Sequence, residues 1–142
     1  MNAIRHVCNY ALLRYLPYPE TGEFVNVGVV AHCAEPRWFG YEIPEENRER
    51  VIHFFPDVND DIYDRQMSAM EQELNRMAEL LKKTTDRQLG SNIFQELIRH
   101  RESVLRFGEV RTALTHDPEA LLKRLCVDSI RPRSANAKLT LT

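Results

Sequence analysis

The chain is 142 residues long, 43% hydrophobic and 28% charged, which describes one ordinary globular domain and excludes a chain that is disordered throughout. No apolar run approaches the ~20 residues that a membrane-spanning helix needs, and His6, Asn9 and Arg14 interrupt the opening segment, which argues against a cleavable leader and for the cytoplasm. The net charge of -2 hides a split, -6 over residues 1–98 and +4 over residues 99–142; the basic part is read first as a solvated surface with local ion pairs, with contact to a nucleic acid or an acidic protein as the alternative.

Residues 6–16, HVCNYALLRYL, and 23–33, EFVNVGVVAHC, are rich in aromatic and β-branched side chains and predict two strands. The intervening PYPETG is turn chemistry, so an antiparallel hairpin is the economical connection. RWFGYEI (37–43) predicts a third strand continuing the meander. From Pro44 the pattern becomes helical. PEENRERVIHFF predicts a short helix stopped by Pro56. In 57–83, Tyr63, Met67, Met70, Leu74, Met77 and Leu81 recur in steps of four and three, one face of a long helix. Aspartates crowd its start and Lys82 and Lys83 close it, which complements the helix dipole. SNIFQELIRHRESV predicts a further helix with Ser91 as its cap. SVLRFGEVRTALT returns to extended structure with a bend at Gly108, and Asp117 and Pro118 mark the start of a last helix. The expected architecture is α+β: an N-terminal antiparallel β-meander packed against a helical middle and a C-terminal helix, with a late strand rejoining the sheet. Residues 1–130 form the single domain, and the small, polar 131–142 form a flexible tail.

The stretch TGEFVNVGVV (21–30) carries the candidate site. Strand alternation puts Val25, Val27 and Val29 on one face, and Phe24, Asn26, Gly28 and Val30 on the other. A glycine within a strand marks a bulge or a close approach, and a buried Asn26 must satisfy its hydrogen-bonding groups. If paired residue numbers sum to about forty, Arg14 lies opposite Asn26. Arg14, Glu23 and Asn26 then form a polar cluster with two readings: a structural one, in which Glu23 pairs Arg14 and fixes the hairpin, and a functional one, a surface that receives a ligand or a partner's backbone.

YALLRYLPYPETGEFVNVGVVAHC resembles the signature of the bacterial domain-of-unknown-function family 3037, with Tyr10, Arg14, Gly22, Glu23, Asn26 and Gly28 at the matching positions. VLRFGEVRTALTHDPEALLKRL is similar to that family's C-terminal block, whereas the middle helices match loosely. The resemblance implies no assigned reaction. It implies genes in two-gene operons, often beside a kinase resembling the HipA toxin type, and hence a partner or regulator protein in a toxin–antitoxin or phage-defence pair.

Other chemistry is thinner. Three cysteines, Cys8, Cys33 and Cys126, form no C-x-x-C pair, and their odd number suits a reducing compartment. The same register sets Cys8 opposite His32 with His6 nearby, a weak three-ligand metal candidate without standard zinc spacing. Asp57, Asp60, Asp61 and Asp64 lack the glycine and closing glutamate of a calcium loop and serve better as a helix start. No P-loop, G-x-G-x-x-G or G-x-S-x-G occurs, and no cofactor is expected. Met67, Met70 and Met77 are either core or an adaptable partner surface. Arg99, Arg101, Arg106, Arg111, Arg124, Arg131 and Arg133, with Phe107 available to stack on a base, form a candidate basic patch for nucleic acid or an acidic protein. The expectation is a non-enzymatic protein-interaction partner. The alternative is a small nucleic-acid-acting or metal-dependent enzyme with its site around Glu23 and Asn26.

Overall fold

Alternating aromatic and β-branched side chains extend the chain twice, over His6–Tyr15 (β1) and Val25–Cys33 (β2), and again over Trp38–Glu42 (β3). The first connection turns on Gly22, whose φ of 74° is the left-handed conformation that suits a residue without a Cβ. The computed structural model describes residues 4–99 and 103–130; Arg101, Arg131, Arg133 and the expected tail at 131–142 lie outside them. Leu105–Phe107 (β4) and Arg111–Thr115 (β5) return to the sheet and share the far edge of β1. The order is β3-β2-β1-β4, with β5 beside β4 on β1, and every pairing is antiparallel. The expected meander and late strand are both present. Gly108 marks the break between β4 and β5, its N–H donating to the Leu12 carbonyl at 2.8 Å.

Among the described residues four helices complete the α+β fold: Asn47–Phe54 (α1), Asp60–Lys83 (α2), Arg87–Ile98 (α3) and Pro118–Ser129 (α4). The Asn59 side chain caps α2, with Asp60 and Asp61 in its first turn and Lys82 and Lys83 in its last. Asp117 caps α4 through the N–H groups of Glu119 and Ala120, with Pro118 as the first helical residue. The start of α3 differs from expectation. Asp86, not Ser91, accepts from the N–H groups of Gln88 and Leu89, and Ser91 lies inside the helix. Gly90 disguises this start, because glycine reads as a helix breaker.

The sheet is covered on both faces. Helices α1 to α3 pack on one, where Leu13, Val27, Leu74, Phe94 and Leu97 lie in a common core. Met67 and Met70 are buried in it and Met77 packs against it, so the methionine seam is core. On the other face α4 lays Leu121, Leu122 and Cys126 against Val29, Ala31 and Cys33.

A bulge in β2 sets these faces. Arg14 does lie opposite Asn26, but from Leu13↔Gly28 to Cys8↔Cys33 the register is one residue further on, leaving Val27 as the extra residue. Val25 and Val27 point to α1–α3, while Val29 turns to α4, so the three valines do not share a face as expected. Gly28 likewise leaves Asn26's side and sits against Leu13 and Ile43. The shifted register also puts Cys33, not His32, opposite Cys8, and a disulfide joins the two cysteines across a Cα–Cα distance of 4.5 Å. Cys126 stays outside this bond and is buried.

Candidate functional site

The structure brings together two of the three residues expected in the polar cluster. Arg14 and Asn26 face each other across β1 and β2 on the α4 side of the sheet. The Arg14 guanidinium lies 4.2 Å from the centre of the Phe24 ring, a cation–π contact. It also fills the space over Gly108, where a Cβ would come within 2.7 Å of the Arg14 Cζ. The Asn26 Nδ2 donates to the Ser129 carbonyl at the end of α4 at 3.5 Å, and Arg50 of α1 donates to the Asn26 carbonyl at 3.1 Å.

Two polar atoms in this pair are unsatisfied. The Arg14 Nε and the Asn26 Oδ1 are buried and lack a hydrogen-bond partner among the described residues. Such groups normally find partners, and leaving one without costs ~1–3 kcal/mol. Glu23 does not supply one: it is exposed in the loop, its N–H bonded to the Thr21 hydroxyl. The structural reading that pairs Glu23 with Arg14 finds no such contact. Tyr10 packs in the cluster under α4, two same-face positions along β1 from Arg14.

The basic candidates divide between surfaces. Arg106 stands directly opposite Arg14 on β4, and Arg111 opposite Tyr10 on β5, both on the α4 side. Arg124 is exposed on α4, and Arg99, at the end of α3 on the other face, pairs with Glu96 at 2.7 Å. Arg111 lies 3.5 Å from Glu109. Phe107 is buried in the main core and is unavailable for stacking on a base. Alternation explains that correction, because Arg106 and its neighbour in β4 must face opposite ways.

The metal candidates do not converge. Cys8 is committed to Cys33, and His32 pairs with Asn9 instead of Cys8. His32 is 3% exposed and stacks on Phe94 with ring centres 5.2 Å apart; burial pushes its pKa below the ordinary value. Among the described residues no three of His, Cys, Asp or Glu are grouped as a metal site. No described helix is long and apolar enough to cross a membrane.

One surface escapes the sequence reading. Val7 and Leu114 face each other across β1 and β5, 55% and 57% exposed, with Ile4 70% exposed nearby in the chain. The outer edge of β5 pairs with no other described strand. Beside Val7 a groove of about 590 Å³ is lined by Ile4, His6, Val7, Asn9, Pro36 and Arg87. Nothing in the local pattern marks Val7 as exposed, since it has the same alternation as the buried Ala11 and Leu13.

Over residues 10–130 the sequence matches the family described as "Protein of unknown function (DUF3037)". No curated protein and no solved structure matches the chain.

Proposed function

This chain belongs to the DUF3037 family, and on that footing we propose that it is a non-enzymatic interaction partner or regulator of another protein. The observation that carries the reading is the exposed sheet corner at Val7 and Leu114 with the open edge of β5. An unpaired edge offers backbone N–H and C=O groups to an incoming strand, and adjacent apolar side chains supply the area that fixes it. His6 and the Arg87–Glu35 ion pair rim the neighbouring groove and give the contact polar selectivity. The partner we favour is a kinase resembling the HipA type, the neighbour that the family resemblance implies, in a toxin–antitoxin or phage-defence pair.

Co-expression with the neighbouring kinase and size-exclusion chromatography test this. The expected outcome is a shared peak that Leu114→Lys disperses, weakening binding at least tenfold, while Arg124→Ala leaves it intact. Absence of a shared peak for the unaltered protein, together with unchanged kinase activity, overturns the reading.

The enzyme alternative draws on the unsatisfied Asn26 Oδ1. It requires Glu23, exposed in the loop, to act with Asn26, so turnover of a nucleotide or nucleic acid should vanish in Glu23→Gln. An unchanged rate removes it.

A further inference from the structure

Asn26, Arg14 and Arg106 stand opposite one another on three neighbouring strands, β2, β1 and β4, in one row on the α4 side of the sheet. Like charges directly opposite across a strand pair repel, and no carboxylate among the described residues pairs with Arg14. The row is held in place before any ligand arrives. Phe24 and Gly108 confine the Arg14 guanidinium, the Ser129 carbonyl anchors the Asn26 amide, and the Arg106 Nε donates to the Ser103 carbonyl. Within it a buried donor, Arg14 Nε, and a buried acceptor, Asn26 Oδ1, both lack partners. A bare anion satisfies the donor and leaves the acceptor unpaired.

We propose that this row is a binding site for a carboxylate with an N–H group beside it, the chemistry shared by an acylated amino acid and a peptide's carboxy terminus. The carboxylate lies on Arg14 Nε and the Arg106 guanidinium in charge-assisted hydrogen bonds, and the N–H donates to Asn26 Oδ1. The site is separate from the β5 edge, so its test and that of the interaction reading fail independently.

The test is a titration followed by the ¹⁵N signals of the Arg14 Nε–H and the Asn26 amide. The probes are acetate, N-acetylglycine, and one tripeptide with a free or an amidated carboxy terminus. Expected are saturable shifts of both signals, with N-acetylglycine binding at least tenfold tighter than acetate. Arg106→Gln, at a partly exposed strand position, should weaken N-acetylglycine about tenfold without changing the backbone amide spectrum. Gly108→Ala should also weaken it by displacing the Arg14 guanidinium. Binding of the free but not the amidated tripeptide supports a peptide terminus as the source; binding of N-acetylglycine alone supports a small acylated amino acid. No saturable shift with any probe overturns the site. Equal affinity for acetate and N-acetylglycine also overturns it, as an adventitious ion only. The acetate comparison is made on the unaltered protein, so it decides the matter even if a variant fails to fold.

Discussion

At the scale of single residues, two glycines answer differently to the same change. A Cβ on Gly28 would lie 3.0 Å from Ile43 Cγ1 and 3.2 Å from the Glu42 carbonyl oxygen, and the carbonyl belongs to a paired strand that cannot yield. Gly28→Ala should therefore destabilise the fold by about 1–3 kcal/mol, read as a lower urea midpoint. At Gly108 the obstacle is the end of a flexible side chain, so the substitution moves Arg14 more than it moves the backbone. His32 makes a prediction about pH. Burial lowers its folded-state pKa, whereas the unfolded chain takes up the proton near pH 6.5. Its contribution to stability is complete above that pH and declines as pH falls from there toward the folded value. Urea midpoints measured from pH 7 to 5 should fall, and the fall should be shallower in His32→Phe. An identical slope in the variant would show that this imidazole does not drive the loss.

At the scale of elements, the first hairpin was legible because its loop and strand compositions agree. The pairing of Arg14 with Asn26 followed from counting outward from the turn. Counting failed beyond it because a bulge adds a residue without leaving a unique mark; Gly28 was a sign of it, but its neighbours gave no direction to the shift. The disulfide was hidden for the same reason, since the simple count set Cys8 against His32. The start of α4 was legible because Asp117-Pro118 combines a cap with the one position where proline suits a helix. The start of α3 was not, because Gly90 and Ser91 mimic a boundary that Asp86 had already set. The Cys8–Cys33 bond closes a stretch of chain with a sequence separation of 25, so reduction should cost about 3 kcal/mol by constraining the unfolded chain less. Urea unfolding with and without reductant, beside Cys8→Ala, measures this. Equal midpoints would mean that the bond adds nothing to stability.

At the scale of the whole molecule, the sheet is buried under three helices on one face and a single helix on the other. The class was legible, since strands and helices fall in separate runs of the sequence. The surface was not. Whether Val7 is covered depends on where α1 to α3, which begin forty or more residues further along the chain, lie over the sheet, and no local spacing encodes that. The two proposed contacts fall on opposite sides of the same sheet: Val7 and Leu114 on the side of α1–α3, and the Asn26–Arg14–Arg106 row beneath the end of α4. Leu114→Lys should thus leave carboxylate binding unchanged, and Arg106→Gln should leave partner binding unchanged. Loss of both functions in either variant would mean that the two surfaces are one. Val27 links them in another way. Because one supernumerary residue sets the phase of everything downstream in β2, taking it into the ladder as an ordinary rung would exchange inner and outer neighbours all the way to Cys33, whereas excising it would leave those faces as they are. The hairpin thus works like a vernier, in which a single notch keeps two separate cores in alignment.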